Sequence, residues 1–254
     1  MLALFFFACD TPPTASEPFS DAAIAALGAF DDEDPAVMVR AFTQLEVEIA
    51  ESLDLDGDVT LRSLTPDELA VDDVAGVVHP DRDPTLTVPV ALAWRSPHPL
   101  TAHDPIAFLA DQVGVEPFAI AYTRSFLDGA DCYPGACEFL RTENTITKKN
   151  IAMTVSFTLF KDWRDLELDD GRAARASRGW MQEGADADGG GERIQQSYAI
   201  ELWLEEPGDT TLRLLVLWAE TTFDPPEDED IIALTTRIGM NDLFVSHDEW
   251  IEGG

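Results

Sequence analysis

Three arginines stand close together in the stretch GRAARASRGWMQ, which contains no acidic side chain. Side chains of a β-strand alternate between its two faces, so Arg172 and Arg178 would share one face with Trp180, and Arg175 would lie on the other. On a face that borders a cavity, arginines can fix an anionic headgroup or carboxylate. The alternative is that they only neutralise acidic residues on neighbouring strands, since cross-strand charge pairs are common in sheets.

Two cysteines mark a tight turn in the middle of the chain. Cys132 and Cys137 bracket the residues YPGA, and Pro-Gly suits the two centre positions of a type II turn. Such a turn brings its flanks within disulfide distance, and the spacing is neither the CXXC of a redox enzyme nor half of a usual zinc site. The sequence therefore predicts a Cys132–Cys137 disulfide and an oxidising compartment.

An aspartate-rich segment resembles the middle of an EF-hand calcium loop. Asp54, Asp56 and Asp58 alternate around Gly57, which would stand at the sharp turn of the loop. The bidentate glutamate that completes calcium binding is missing, because Ser63 occupies its position. We interpret the segment as an Asp-Gly turn between a helix and a strand, with calcium binding as the alternative.

The sequence carries no signature of catalysis, metal binding or cofactor binding. None of the four histidines has the spacing of a helical metal pair or of HExxH. The GxSxG, Walker A and GxGxxG patterns are also absent. These observations leave enzymatic activity open but favour a non-enzymatic protein without cofactor or metal.

The charge balance is strongly acidic. Lysine and arginine together number 16, aspartate and glutamate 49, and the formal net charge is −33. A field of that sign repels phosphate backbones, which excludes nucleic acid as a partner. We interpret the charge as a solvated acidic surface, with an acidic patch for a cationic protein partner as the alternative.

The first residues suggest export. The apolar run from Leu2 to Ala8 is followed by Cys9 and by the Pro/Ser/Thr-rich segment DTPPTASEP. A small residue before a cysteine, between an apolar run and a flexible tether, resembles the lipobox of bacterial lipoproteins. The resemblance implies a partial signal peptide over residues 1–8, lipidation of Cys9 and a lipid-anchored flexible linker over residues 9–19. The protein would then be anchored to the membrane of the bacterial cell envelope, facing the periplasm or the cell surface. The alternative is a short apolar start to a cytoplasmic chain.

Helical patterns lie near both ends of the remaining chain. A short helix is predicted from Asp21 to Phe30, and a second begins at Asp34-Pro35, a cap followed by proline at the first helical position. The spacing of Ile231, Leu234 and Ile238 predicts a C-terminal helix that runs into the 240s.

Strand patterns fill the middle of the chain. The predicted strands are 86–94, 151–159, 173–182, 195–205 and 211–223. The last is apolar on both faces from Leu212 to Trp218, which predicts a central strand covered on both sides. The fold class is therefore α+β: an antiparallel sheet with N-terminal helices and a C-terminal helix packed on the sheet. Residues 20–254 would form one globular domain.

Long antiparallel strands closed by a terminal helix resemble the START-like, or helix-grip, fold over residues 85–254. The resemblance implies a curved sheet around the terminal helix, with an apolar cavity between them. Residues that would contribute to a ligand site are Val155, Phe157, Arg172, Arg178 and Trp180. The predicted function is binding of a hydrophobic small molecule or lipid in that cavity. The alternative is a structural or protein-interaction module of the envelope with a solid core and no ligand.

Overall fold

The computed structural model describes residues 17–32, 34–53, 61–77, 81–129, 139–149, 154–191, 193–223 and 227–253. In these residues the helices are α1 (Glu17–Gly28), α2 (Pro35–Leu53), α3 (Leu100–Phe108) and α4 (Glu229–Gly253). The strands are β1 (Leu61–Leu64), β2 (Val88–Ser96), β3 (Ala119–Asp128), β4 (Leu140–Lys149), β5 (Thr154–Glu167), β6 (Ala173–Trp180), β7 (Ala185–Asp186), β8 (Arg193–Glu206) and β9 (Thr210–Thr222).

The strands form one antiparallel sheet in the order β1-β2-β9-β8-β6-β5-β4-β3, and the short β7 pairs with β8. Most neighbours in this order are joined by hairpins, and β2 lies beside β9 through the longest connection. The predicted α+β class is confirmed: the sheet is antiparallel, helices precede it, and a terminal helix packs on it. No helix in the described ranges is long and apolar enough to cross a membrane.

The N-terminal helices cover one face of the sheet. Helix α2 begins at Pro35 as predicted, and the Asp34 side chain accepts a hydrogen bond from the Ala36 amide at 3.0 Å. The buried face of α2, with Phe42, Leu45 and Ile49, joins α1 and the apolar faces of β6, β8 and β9 in the largest core cluster. Helix α1 begins at Glu17, so it includes the last three residues assigned from sequence to the linker.

Helix α4 covers the opposite face. Its buried residues include Met240, Phe244 and His247, and Met240 and Phe244 pack against β2 and β9. The three residues whose spacing predicted this helix, Ile231, Leu234 and Ile238, are exposed, so the helix is confirmed although these side chains do not reach the core. The sheet therefore lies between two helical layers.

Strand β9 shows why both layers are needed. Leu212, Leu214, Val216 and Trp218 belong to the core under α1 and α2, whereas Leu215 packs toward α4. A strand buried on both faces must be apolar at odd and even positions alike. The prediction of a doubly covered central strand is confirmed.

Candidate ligand-binding cavity

A cavity of about 330 Å³ lies between the sheet and α4. Strand alternation places the odd-numbered residues of β5, β8 and β9 on this side of the sheet. Across the cavity, α4 contributes Thr235, Thr236, Gly239, Met240 and Leu243, whose spacing of three and four residues forms one stripe along the helix. The cavity is therefore built mainly from strand and helix faces.

Most of the wall is apolar. The aliphatic and aromatic lining residues from the sheet and the loops beside it include Ile146, Val155, Phe157, Leu159, Met181, Ile194, Ala199, Leu215 and Leu217. A concave site with mainly apolar walls and a few convergent polar groups is typical of a site for a small molecule.

Six of the lining residues that carry polar groups define one part of the wall, which we call the polar end: Tyr122, Arg124, Lys161, Trp163, Glu201 and His247. Lys161 on β5 and Glu201 on β8 form an ion pair with Nζ and Oε1 2.5 Å apart, and their side chains are only 13% and 9% exposed. The Lys161 ammonium also lies 5.0 Å from the centre of the Trp163 ring, within cation–π distance.

Arg124 is held in place by the elements around it. Its Nε donates to Asn144 Oδ1 at 2.6 Å, and its Nη2 donates to the Tyr122 hydroxyl at 3.1 Å. Its Nη1 donates to the carbonyls of Ile106 and Ala107 in the last turn of α3. A cation at this position satisfies carbonyls that have no partner within the helix and opposes the negative end of the helix dipole. Arg124 therefore fixes α3 against β3 and brings a positive charge to the cavity.

The ionisation of the polar end follows from its surroundings. Burial raises the pKa of the Glu201 carboxyl, but the charge and hydrogen bond of Lys161, with Arg213 and Arg124, outweigh burial and hold the pKa below its usual value. Burial raises the pKa of Tyr122 to about 12. Burial, followed by the charge of Arg213, holds the pKa of His247 well below its usual value. At neutral pH Glu201 is therefore charged, whereas Tyr122 and His247 are neutral.

Two buried donor groups at or beside the polar end lack a hydrogen-bond partner within the described ranges of the chain. The first is the Trp163 indole Nε1–H, on a side chain that lines the cavity and is 4% exposed. The second is Arg213, which is 0% exposed: its Nη2 donates to His247 Nδ1 at 2.7 Å, while Nε and Nη1 have no partner. Buried donors are nearly always satisfied in native proteins, so each such group is informative.

The structure separates the residues predicted from sequence to bind a ligand. Val155 and Phe157 line the cavity wall. Arg178 and Trp180 lie on the opposite face of the sheet, under α1, where Arg178 pairs with Asp31 at 2.8 Å. Because Gly179 is the cross-strand partner of Lys161, the cavity side of β6 carries the odd-numbered residues.

The arginines of β6 and the turn before it are paired with acids, as the alternative interpretation proposed. Arg172 pairs with Glu46 at 2.9 Å and with Asp170 at 2.5 Å, and Arg175 pairs with Asp104 at 2.9 Å and with Asp165 at 2.7 Å. Neither Arg172, Arg178 nor Trp180 is among the described residues that line the cavity. Cys9, Cys132, Cys137 and the Asp54–Asp58 segment lie outside the described residues.

The ligand site predicted from sequence did not include Lys161, Trp163 or Glu201. The signal was present for the first two, because both continue the odd-numbered face of Val155 and Phe157 once β5 is extended to Glu167. Glu201 was not predicted because β8 was recognised from the apolar residues of its other face. Ile200 and Leu202 belong to that face, which packs against the helices α1 and α2.

No protein-family model matches the chain, and no curated protein matches it. Solved structures with a similar arrangement include a STAR-related lipid transfer protein from Xanthomonas axonopodis, at 10% identity and a TM-score of 0.46 over 66% of this chain and 87% of that one. A START superfamily protein from Mycobacterium smegmatis matches at 9% identity and a TM-score of 0.45, over 65% of this chain and 97% of that one. Human StAR-related lipid transfer protein 5 matches at 7% identity and a TM-score of 0.46, over 85% of this chain and 97% of that one.

Proposed function

We propose that the protein binds a hydrophobic small molecule or lipid in the cavity under α4. The observation that supports this function is the cavity itself, about 330 Å³ in volume and walled mainly by aliphatic and aromatic side chains. A space of this size lies within the range of known small-molecule sites. A ligand would replace the contacts that the wall residues otherwise lack.

Gly239 offers a way to test the cavity without disturbing the sheet. It lies in the cavity-lining stripe of α4, and a Cβ added there would meet no heavy atom within 4 Å. Glycine inside a helix is less favourable than alanine by about 1 kcal/mol, so a side chain at this position stabilises α4 while it occupies cavity volume.

The experiment compares Gly239→Leu with Gly239→Ala in titrations with Nile red, an uncharged fluorescent dye. The urea concentration at the midpoint of unfolding should be at least as high for both variants as for wild type. Gly239→Ala should keep dye binding, whereas Gly239→Leu should weaken it at least tenfold, because only leucine fills the cavity. If both variants bind the dye equally, the dye site lies elsewhere. If wild type binds no dye, the cavity function fails and the alternative, an interaction module of the envelope, replaces it.

We also propose that the domain acts in the bacterial cell envelope, tethered through a lipid on Cys9. The support is the apolar run of residues 2–8, the cysteine that follows it and the linker-like composition after that cysteine. A lipid anchor would hold the cavity near a membrane, which is a source of apolar ligands.

A further inference from the structure

The polar end of the cavity is richer in donors and in positive charge than in acceptors. Three cations line the cavity, Arg124, Lys148 and Lys161, against two acids, Glu116 and Glu201. Two of the cations are paired: Lys148 with Glu116, at 2.5 Å, and Lys161 with Glu201, also at 2.5 Å. Arg124 is the third, and it donates hydrogen bonds to neutral groups: the Asn144 amide, the Tyr122 hydroxyl and carbonyls of α3.

The next layer does not cancel this excess. Arg213 lies behind His247, and burial lowers the pKa of its guanidinium to about 10. The acids that oppose this effect are Glu201, already paired with Lys161, and Asp248. Asp248 accepts hydrogen bonds from Trp94 Nε1 and Ser96 Oγ, both at 2.7 Å. Among the described residues of the cavity wall and the layer behind it, four cations (Arg124, Lys148, Lys161 and Arg213) stand against three acids (Glu116, Glu201 and Asp248). In a chain with a net charge of −33, this cluster carries one positive charge in excess.

The hydrogen-bonding groups of the polar end show the same imbalance, with more donors than acceptors. A lysine ammonium has three N–H donors, and Glu201 accepts from Lys161 Nζ. The Trp163 Nε1–H, buried in the cavity wall, has no partner in the described part of the chain. The ammonium lies 5.0 Å from the centre of the Trp163 ring, so the two residues border the same part of the cavity wall.

We propose that the ligand is an amphiphile with an acidic headgroup of the carboxylate class, seated with its headgroup between Lys161 and Trp163 and its apolar chain along β5, β9 and α4. This inference rests on the proposed function and specifies its ligand. A buried anion is stable only when it is paired and hydrogen-bonded, and the polar end supplies both. A neutral headgroup would leave the excess charge in place. A cationic headgroup would add to it, because Glu201 is already paired.

The test uses three probes of equal chain length, dodecanoate, dodecanol and dodecylammonium, in isothermal titration with the full chain at neutral pH. Wild type should bind dodecanoate at least tenfold more tightly than dodecanol, and dodecylammonium should bind most weakly. Trp163→Phe keeps a six-membered aromatic ring and removes the indole N–H together with the fused five-membered ring, so it should weaken dodecanoate binding several-fold more than it weakens dodecanol binding.

Removing Lys161 alone would leave the Glu201 carboxylate buried without its partner and endanger folding. The variant Lys161→Met/Glu201→Gln therefore neutralises both and should bring dodecanoate and dodecanol to nearly equal affinity. The matched control Arg172→Met/Glu46→Gln makes the same change to an ion pair on the other side of the sheet, and should keep the preference for the acid.

The outcomes separate the two proposals. If dodecanol and Nile red bind but dodecanoate binds no more tightly, the acidic headgroup is wrong and the apolar cavity function stands. If dodecanoate is preferred equally by wild type and by Lys161→Met/Glu201→Gln, the headgroup does not sit at this end and the inference is also wrong. If no probe and no dye binds to wild type, both proposals fail together.

Discussion

The side chain of Lys161 passes over Gly179 to reach Glu201, so the ion pair spans the whole width of strand β6. Lys161 is directly opposite Gly179 in the sheet, and the residue opposite Glu201 is Ser177. A Cβ built on Gly179 would lie 3.6 Å from both Cε and Cγ of Lys161, an ordinary contact distance. The path over this position therefore has room for the lysine stem and for one methyl group, but not for a larger side chain.

This relationship predicts different effects for two substitutions at Gly179. Gly179→Ala should change the free energy of unfolding by less than about 1 kcal/mol, because its methyl group fits beside the lysine. Gly179→Val should push the lysine aside and leave the Glu201 carboxylate buried without its partner, at a cost of about 3 kcal/mol. Urea unfolding measures both. Valine favours strands more than alanine does, so equal stability of the two variants would contradict the bridging geometry.

The sequence predicts those features of the site that are set within one segment of the chain, and it does not predict contacts between distant segments. Periodicity within one segment correctly predicts α2, α4 and the face of β5 that carries Val155 and Phe157, because each pattern is set by local geometry. The ion pair of Lys161 depends on which strand lies two places away in the sheet, and no local pattern contains that information. The same holds for Arg178, whose partners Asp162 and Asp31 come from a neighbouring strand and from the turn after α1.

Val155 gives a second probe of the cavity, from the sheet side. It is buried in the wall beside Met181 and Ala185. We expect Val155→Phe to cost less than about 1 kcal/mol of stability and to weaken Nile red binding, because the added ring enters open volume. If the core is solid, the same change overpacks it and lowers the stability by about 1–3 kcal/mol. In that case the wild-type protein should not bind the dye either. Thermal unfolding and dye titration of this single variant distinguish the two cases.

The cysteine pair predicts a covalent link in exported protein. Mass spectrometry of peptides digested without reduction should show Cys132 joined to Cys137. Replacing both with alanine should lower the free energy of unfolding by about 2 kcal/mol, since the loop they close is short. Free thiols at both positions in protein taken from the periplasm would contradict the hairpin and the oxidising compartment together.

Lipidation of Cys9 predicts the location of the protein in a bacterial cell. Expressed with an upstream signal sequence, the protein should partition with membranes, and Cys9→Ser should release it into the soluble periplasmic fraction. The mass of the N-terminal peptide should carry the lipid in the first case only. Recovery of the unsubstituted protein from the cytoplasm, with an unmodified cysteine, would overturn the envelope assignment.

Two buried histidines predict how stability depends on pH. His103 is 0% exposed, and burial, followed by the charges of Arg213 and His98, lowers its pKa from 6.5 to about 3. The pKa of His247 is lowered by burial and by Arg213, which donates from Nη2 to His247 Nδ1 at 2.7 Å and so requires that nitrogen to be unprotonated. The Nε2 of His103 lies 3.1 Å from Ser96 Oγ, whose hydroxyl donates to Asp248.

Because both pKa values are lower in the folded protein, the unfolded chain binds more protons in acid. The stability that the neutral histidines contribute is therefore fully present above about pH 6.5 and is lost as the pH falls below it, by about 1.4 kcal/mol per pH unit for each histidine. Urea unfolding between about pH 7 and about pH 5, above the range where most carboxyl groups titrate, measures this slope. His247→Gln keeps an acceptor for Arg213 and should remove about half of this pH dependence of stability. The double variant with His103→Gln should lose most of the remaining pH dependence. A slope that survives in the double variant would show that other groups control the acid sensitivity of the fold.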